Sequence, residues 1–318
     1  LLIEGMMVDR RIKAIAKKVL PEKYYKEIRE KRKINRFESG GEPATYQGLS
    51  TYTIVTAVYN AERYLDAFFD SIIAQSFCLS GLKIIAVDDG STDSSLSILR
   101  SWEERYPEII SVLTKENGGQ ASARNFALSR VETDWVTFID PDDFVSKDYF
   151  KYVDQAVRRH PALKMISCSM VFYNEAGGTY SDSHALRHYF AEDESIYNIQ
   201  DETCPIQLSM ASAFFLMSEI EQNSLRMSID VRPNFEDGLF VGEYLNIVES
   251  GQIAFLKKPK YFYRKRSSEG STMDLSWAVP EKINCVPVNG YLRLIDFCIQ
   301  KRGYVPLNIQ HTVLYELQ

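Results

Sequence analysis

An apolar stretch, Phe138-Ile139, runs into Asp140-Pro141-Asp142-Asp143, which puts three carboxylates within four positions. Like charges this close raise one another's pKa and repel, so the arrangement is costly unless a cation sits among them. A hard divalent ion resolves the conflict. Mg2+ and Mn2+ take carboxylate oxygens and bridge to substrate phosphates, so Asp140, Asp142 and Asp143 are candidate ligands of Mn2+ or Mg2+ at a nucleotide-diphosphate site. Taken alone, the segment also reads as a solvated acidic turn in which Asp143 caps the next helix.

The elements that must position these carboxylates begin near residue 51. Residues 53–58 are apolar and β-branched, as in a strand. Residues 61–76 carry Tyr64, Leu65, Phe68, Phe69, Ile72 and Ile73 at helical spacing, and 82–87 read as a second buried strand. A helix from 92 or 93 to 105, a strand over 109–113, a helix over 120–129 and a strand over 135–139 continue the series. This alternation predicts an α/β fold, Rossmann-like, with a mainly parallel sheet covered by helices on both faces. Ligands of such sheets bind beyond the carboxyl ends of the strands. Four polar tips then share one edge: Val58-Tyr59-Asn60, Asp88-Asp89-Gly90-Ser91, Asn117-Gly118-Gly119 and the aspartate cluster. Each is an ordinary turn by itself. Together they outline a nucleotide site, with the base near the first two strands and the diphosphate over the carboxylates. The sequence has no Walker loop and no dinucleotide-type glycine fingerprint, which leaves a P-loop NTPase or an NAD enzyme without support.

These four motifs, extended to Asn117-Gly118-Gly119-Gln120-Ala121-Ser122-Ala123-Arg124-Asn125, resemble in order and spacing those of inverting GT-A fold glycosyltransferases of family 2 over about residues 51–265. The resemblance implies a nucleotide-sugar donor, usually a UDP-sugar, and a divalent metal on Asp140-Pro141-Asp142. It places Tyr59, Asp88 and Asp89 at base and ribose and Arg124 and Asn125 in support of the donor pocket, with Ala57, Asn60, Asn117, Gly118 and Asp140 as further expected nucleotide-sugar contacts. One departure is Ala57-Val58, where the family commonly has Pro before Tyr-Asn. Sugar transfer with inversion also needs a base opposite the leaving group, by analogy with inverting glycosidases. Asn234-Phe235-Glu236-Asp237-Gly238 matches the family's Glu-Asp motif, which makes Asp237 the expected base and Glu236 its support. The plainer alternative is that both acids favour a helix N-terminus. Tyr261-Phe262-Tyr263-Arg264-Lys265-Arg266 precedes a Gly/Ser-rich stretch, and Arg264 and Arg266 are expected on a loop that closes over the donor phosphates. Similar segments occur in enzymes resembling wall teichoic acid and capsule glycosyltransferases, so the acceptor is expected to be a polysaccharide or polyol phosphate.

A sugar-phosphate nucleotidyltransferase shares the sheet and aspartates, but its Gly-rich loop is missing from Tyr59-Asn60-Ala61-Glu62-Arg63. A non-catalytic glycan-binding module is a further alternative, against which Asp142 and Asp237 both speak. The net charge of −6 is uneven: residues 10–36 hold twelve Lys/Arg against three Glu, which leaves −15 for everything else. This basic helical arm, with its linker over 1–46, needs a surface, either an anionic membrane or a neighbouring domain. Nucleic acid is not expected, since no binding module accompanies the charge. Five scattered cysteines without paired spacing fit a reducing cytoplasm, with the arm as an optional contact to the inner face of the membrane. His184 and His188 lie near Asp182 without the further ligands a zinc site wants. The catalytic domain is expected over 47–265. Residues 266–318 would form the closing loop and a C-terminal helical extension, helical around 291–297. Leu1 in place of Met suggests a piece of a longer protein with a further domain.

Overall fold

The computed structural model describes residues 46–201, 204–206, 208–266 and 279–317. The basic arm and residues 267–278 of the expected closing loop lie outside the described residues. Strand β1 (Tyr52–Val58) pairs in parallel with β2 (Leu82–Asp88) and β4 (Trp135–Thr137), and β3 (Ile110–Thr114) adds to β2, again in parallel. Beyond β4 the directions mix. Strand β9 (Ala213–Leu216) runs antiparallel to β4 and to β6 (Leu163–Asn174), while β6 is parallel to β10 (Gln252–Lys265). Short β5 (Phe144–Val145), β7 (Thr179–Ser181) and β8 (Glu194–Asn198) pair antiparallel at the far side. The sheet is therefore parallel over the four strands that the alternation identifies and mixed past them.

Burial on both faces explains the near-continuous apolar runs. Tyr52, Ile54, Val58, Ile84 and Ala86 face one core, with Leu65, Phe68, Phe69 and Ile72 of α1 (Leu65–Ile73), α2 (Ser95–Arg105) and α4 (Tyr149–Arg159). Val55, Ile85 and Val87 face the other, under α3 (Gln120–Leu128), α5 (Met217–Gln222) and α6 (Glu236–Ile247). Each fully buried Phe of α1 contributes about 1.5–3 kcal/mol by leaving water. Helix α1 starts later than its spacing suggests. Ala61 N donates to Ser95 Oγ (2.9 Å) and Glu62 N to Asp93 Oδ2 (3.1 Å), which holds residues 61–64 as a turn.

The chain's entry into β1 is pinned by Asp154 of α4, a fully buried carboxylate. It accepts from Tyr46 OH (3.0 Å), Leu49 N (3.1 Å), Ser50 N (3.0 Å) and Tyr52 OH (3.1 Å). At the other end, α7 (Glu281–Asn284), a π-helical turn (Val286–Leu292), α8 (Arg293–Arg302) and α9 (Leu307–Glu316) form the expected helical extension. Leu294 and Cys298 of α8 join the second core. Among the described residues no helix is long and apolar enough to cross a membrane.

Candidate active site

The tips of β1, β2 and β4 meet at one edge, as the parallel topology requires. Tyr59 stands there 53% exposed. Asp88, at the end of β2, is buried, and its Oδ1 has no hydrogen-bond partner among the described residues. A buried carboxylate oxygen left in this way is unusual and suits an N–H or hydroxyl brought by a ligand. Three other expected contacts are spent inside the protein. Asp89, expected at the ribose, accepts from Lys115 Nζ (2.7 Å), Gly118 N (3.0 Å) and Gly119 N (2.7 Å), and so clasps the loop before α3 to β2. Asn60 adopts φ 50° and accepts from Thr92 N (2.8 Å), which ties two strand tips together. Ala57 is half-buried, pairs with Val87 and packs on the second core. Asn117 remains exposed at the edge, and Gly118 and Gly119 shape its loop. Gly90 has φ 75°, and a Cβ there would come 3.0 Å from Asn117 N, so glycine lets the two loops meet.

The aspartate cluster divides its work. Asp143 faces inward: Tyr261 OH donates to its Oδ2 (2.5 Å) and Arg264 N to its Oδ1 (2.7 Å). Burial and the neighbouring Asp142 and Asp140 push its pKa well above the carboxylate range. Expected as a metal ligand, it is instead an anchor that fixes the turn against β10. Asp140 and Asp142 stay at the edge, with 26% and 17% of their side chains exposed. Asp140 Oδ1 accepts from Arg124 Nη2 (2.7 Å) and Gln120 Nε2 (2.8 Å); Asp142 Oδ2 accepts from Arg266 Nε (2.8 Å) and Nη2 (2.6 Å). The cleft is deep enough that desolvation, only partly offset by Arg124, pushes Asp140 up to about 6.

Arg124 projects from α3 into this cleft and is 2% exposed. Its second nitrogen, Nη1, donates to Asp237 Oδ1 (2.8 Å), and Met210 N donates to Asp237 Oδ2 (3.1 Å). One buried guanidinium thus joins the carboxylate at the end of β4 to the one at the start of α6, 97 positions apart in sequence. Asp237 and Asp140 outweigh the burial that disfavours this charge and hold its pKa above the ordinary guanidinium value. Glu236, beside Asp237, is pushed up to about 7, first by burial and then by the Asp237 charge.

The basic segment differs from its expectation. Strand β10 runs on through Lys265, with a register shift between Leu256 and Lys260 around Pro259, so Arg264 lies within a strand and not on a loop. Its Nε donates to Asp142 O (2.6 Å), and its guanidinium packs over the rings of Tyr64, Phe144 and Tyr173. Arg264 therefore shapes the turn from behind, while Arg266 reaches Asp142 at the edge. Asn125 likewise turns away, its amide pairing with Met227 N (2.9 Å) and O (2.8 Å). His184 Nδ1 accepts from Leu186 N (3.2 Å), a local cap. Gln120, Lys115, Tyr261 and the Met210 amide are site contacts that spacing does not single out; Gln120 and Tyr261 lie within the motif segments, and Lys115 and Met210 lie in none.

The donor set fits a hard divalent ion. Asp140 and Asp142 offer oxygen atoms two positions apart, and such ions are commonly held by one or two carboxylates and completed by substrate phosphates. Among the described residues no third His, Cys, Asp or Glu converges with them into a closed cage.

A profile described as Glycosyl transferase family 2 matches residues 53–220. The chain is 28% identical over 272 residues to the minor teichoic acid biosynthesis protein GgaB of Bacillus subtilis, covering 84% of this chain and 29% of that protein. It is 25% identical over 231 residues to the poly(ribitol-phosphate) beta-N-acetylglucosaminyltransferase TarS of Staphylococcus aureus, covering 72% of this chain and 38% of that protein. Well under half the length of either relative is therefore spanned. The crystal structure of S. aureus TarS 1-349 in complex with UDP-GlcNAc aligns with TM-score 0.67 at 20% identity, over 84% of this chain and 71% of that one. A mannosyltransferase from Pyrobaculum calidifontis, in complex with GDP-Man and Mn2+, aligns with TM-score 0.55 at 16% identity, over 96% and 91%. The shared fold is GT-A.

Proposed function

The chain belongs to glycosyl transferase family 2, and from that membership we propose that it transfers a sugar, with inversion, from a UDP-sugar to a hydroxyl of a teichoic-acid-like polymer at the bacterial surface. The observation that carries this reading is Arg124, which donates to both Asp140 and Asp237 in one cleft, and on this reading Asp140 belongs to the donor side and Asp237 to the acceptor side. Support for the donor comes from TarS, crystallised with UDP-GlcNAc, and for the acceptor from relatives named for teichoic acid and poly(ribitol-phosphate).

Asp142 and Asp140 would hold Mn2+ or Mg2+, which would offset charge on the departing diphosphate. Asp88 and Tyr59 would receive the base. Asp237 would take the proton of the acceptor hydroxyl; Arg124 and the Met210 amide orient its two oxygens, and each keeps a lone pair for that proton. Arg266, within reach of Asp142, would add a guanidinium to the phosphate side. The basic arm would contact an anionic membrane surface or a neighbouring domain. The catalytic unit is proposed over 47–265, braced by the helices after it.

The test is nucleotide release from a panel of nucleotide sugars, with Mn2+ or with chelator, in the presence of polyol-phosphate polymer. Metal-dependent UDP release is expected, and Asp142→Ala and Asp237→Asn should each lower it at least about 100-fold. Release indifferent to both substitutions refutes the assignment.

A further inference from the structure

Building on the reading of Asp237 as the base, we infer that the C-terminal helical extension is a positioning part of the active site, acting on Asp237 through Phe235. Phe235 has φ 79°, the left-handed region that non-glycine residues rarely adopt, at the residue immediately before Glu236-Asp237. Such a conformation persists only where the surroundings impose it, and here the extension does so. The Phe235 ring is buried between two glycines. A Cβ on Gly238 would lie 2.7 Å from its Cε2, and a Cβ on Gly290, in the π-helical turn, 2.8 Å from its Cδ1. Tyr291 closes the slot edge-on, with centroids 4.7 Å apart at 77°.

The grip extends along the same segment on either side. Lys282 Nζ, buried, donates to Asn234 Oδ1 (2.9 Å), and Arg293 Nε donates to Glu243 Oε1 (3.0 Å) further along α6. The extension therefore holds the segment immediately before Asp237 and the helix after it. The clasp of Asp89 on the Gly118 loop and the anchoring of Asp143 on β10 involve none of these residues. Asp140 shares Arg124 with Asp237 but is also held by Gln120, so losing the brace should move the base and leave the donor half where it is.

The experiment uses the whole chain with Gly290→Ala, whose new methyl must displace the Phe235 ring. Gly290→Ala with Phe235→Leu relieves that clash, and Tyr291→Ala removes the wall without overpacking, which keeps the question open should Gly290→Ala fold poorly. With the nucleotide sugar that the wild type turns over, kcat should fall at least about 10-fold while donor KM and the Kd for UDP with Mn2+ stay within about 2-fold. The double variant should recover most of the loss. Hydrogen exchange should quicken at residues 234–240 and stay unchanged at 86–91 and 138–143. Wild-type kcat and wild-type exchange in both Gly290→Ala and Tyr291→Ala overturn the inference, as does a rise in KM and Kd matching the fall in kcat. A wild type that releases nucleotide from no donor overturns the functional reading instead, and the exchange comparison then decides whether the brace exists.

Discussion

Replacing Glu236 by Gln should stabilise the protein at alkaline pH and do little at acid pH. The Glu236 carboxyl is raised from 4.5 to about 7 in the folded state, because burial and the Asp237 charge both disfavour ionisation. A carboxyl raised on folding binds its proton more tightly in the native state than in the unfolded one, so stability falls as pH rises between the two pKa values. The penalty is absent below about 4.5 and fully present above about 7. At about 1.4 kcal/mol per pKa unit, the full penalty is on the order of 3 kcal/mol, of which about 2–3 kcal/mol develops between pH 5 and 8. Glutamine keeps the shape and cannot ionise, so its advantage over Glu should grow across that window. For a domain of this size the expected gain in Tm at pH 8 is about 5–8 °C, with little gain at pH 5. Urea unfolding of both proteins in chelator, at half-unit pH intervals, reads the difference directly; Asp140, also raised, titrates in both and largely drops out. A Gln advantage of equal size at pH 5 and pH 8 would show that Glu236 is not held protonated and would refute the argument.

Two further outcomes follow from buried charges. Arg124→Met leaves Asp140 and Asp237 facing each other without their shared cation, and should cost about 3–5 kcal/mol of stability and at least about 100-fold in kcat, measured by urea titration and UDP release. Arg124→Lys, with one point charge for two carboxylates, should retain much of the stability and little of the activity. Asp154→Ala strands four donors at the entry to β1 and should lower stability by about 3 kcal/mol or more while kcat of the remaining folded protein is unchanged. A parallel loss of kcat would mean that this anchor reaches the site.

The half of the molecule that the sequence makes legible is the half built from local regularity. Strands β1 to β4 declare themselves as short apolar runs and their helices through period-3.6 burial, and a parallel sheet then fixes which tips share an edge. Strands β5 to β9 are short or pair antiparallel across long sequence distances, and no local period announces such partners. Strand β10 hides for a different reason: Lys257-Lys258-Pro259 interrupts its apolar run, and the structure absorbs the interruption as an irregularity and continues. The same distinction runs through the site. Motif spacing brings Asp88, Asp140 and Asp142 to the edge, but cannot say which carboxylates are free to meet a ligand, because that depends on who donates to them. Asp89 and Asp143 look like their neighbours in sequence and are consumed by Gly118, Gly119, Tyr261 and Arg264. These internal carboxylates have a use of their own. Each fixes a loop beside a second acid, and these differ: Asp142 stays partly exposed at the edge, while Asp88 is buried with one oxygen unpaired among the described residues. Arg124 makes the complementary link between elements. With both of its carboxylates partly exposed and the guanidinium itself buried, a shift of α6 relative to β4 would strand a charge in the protein interior, and this cost helps hold the two sides of the cleft in register.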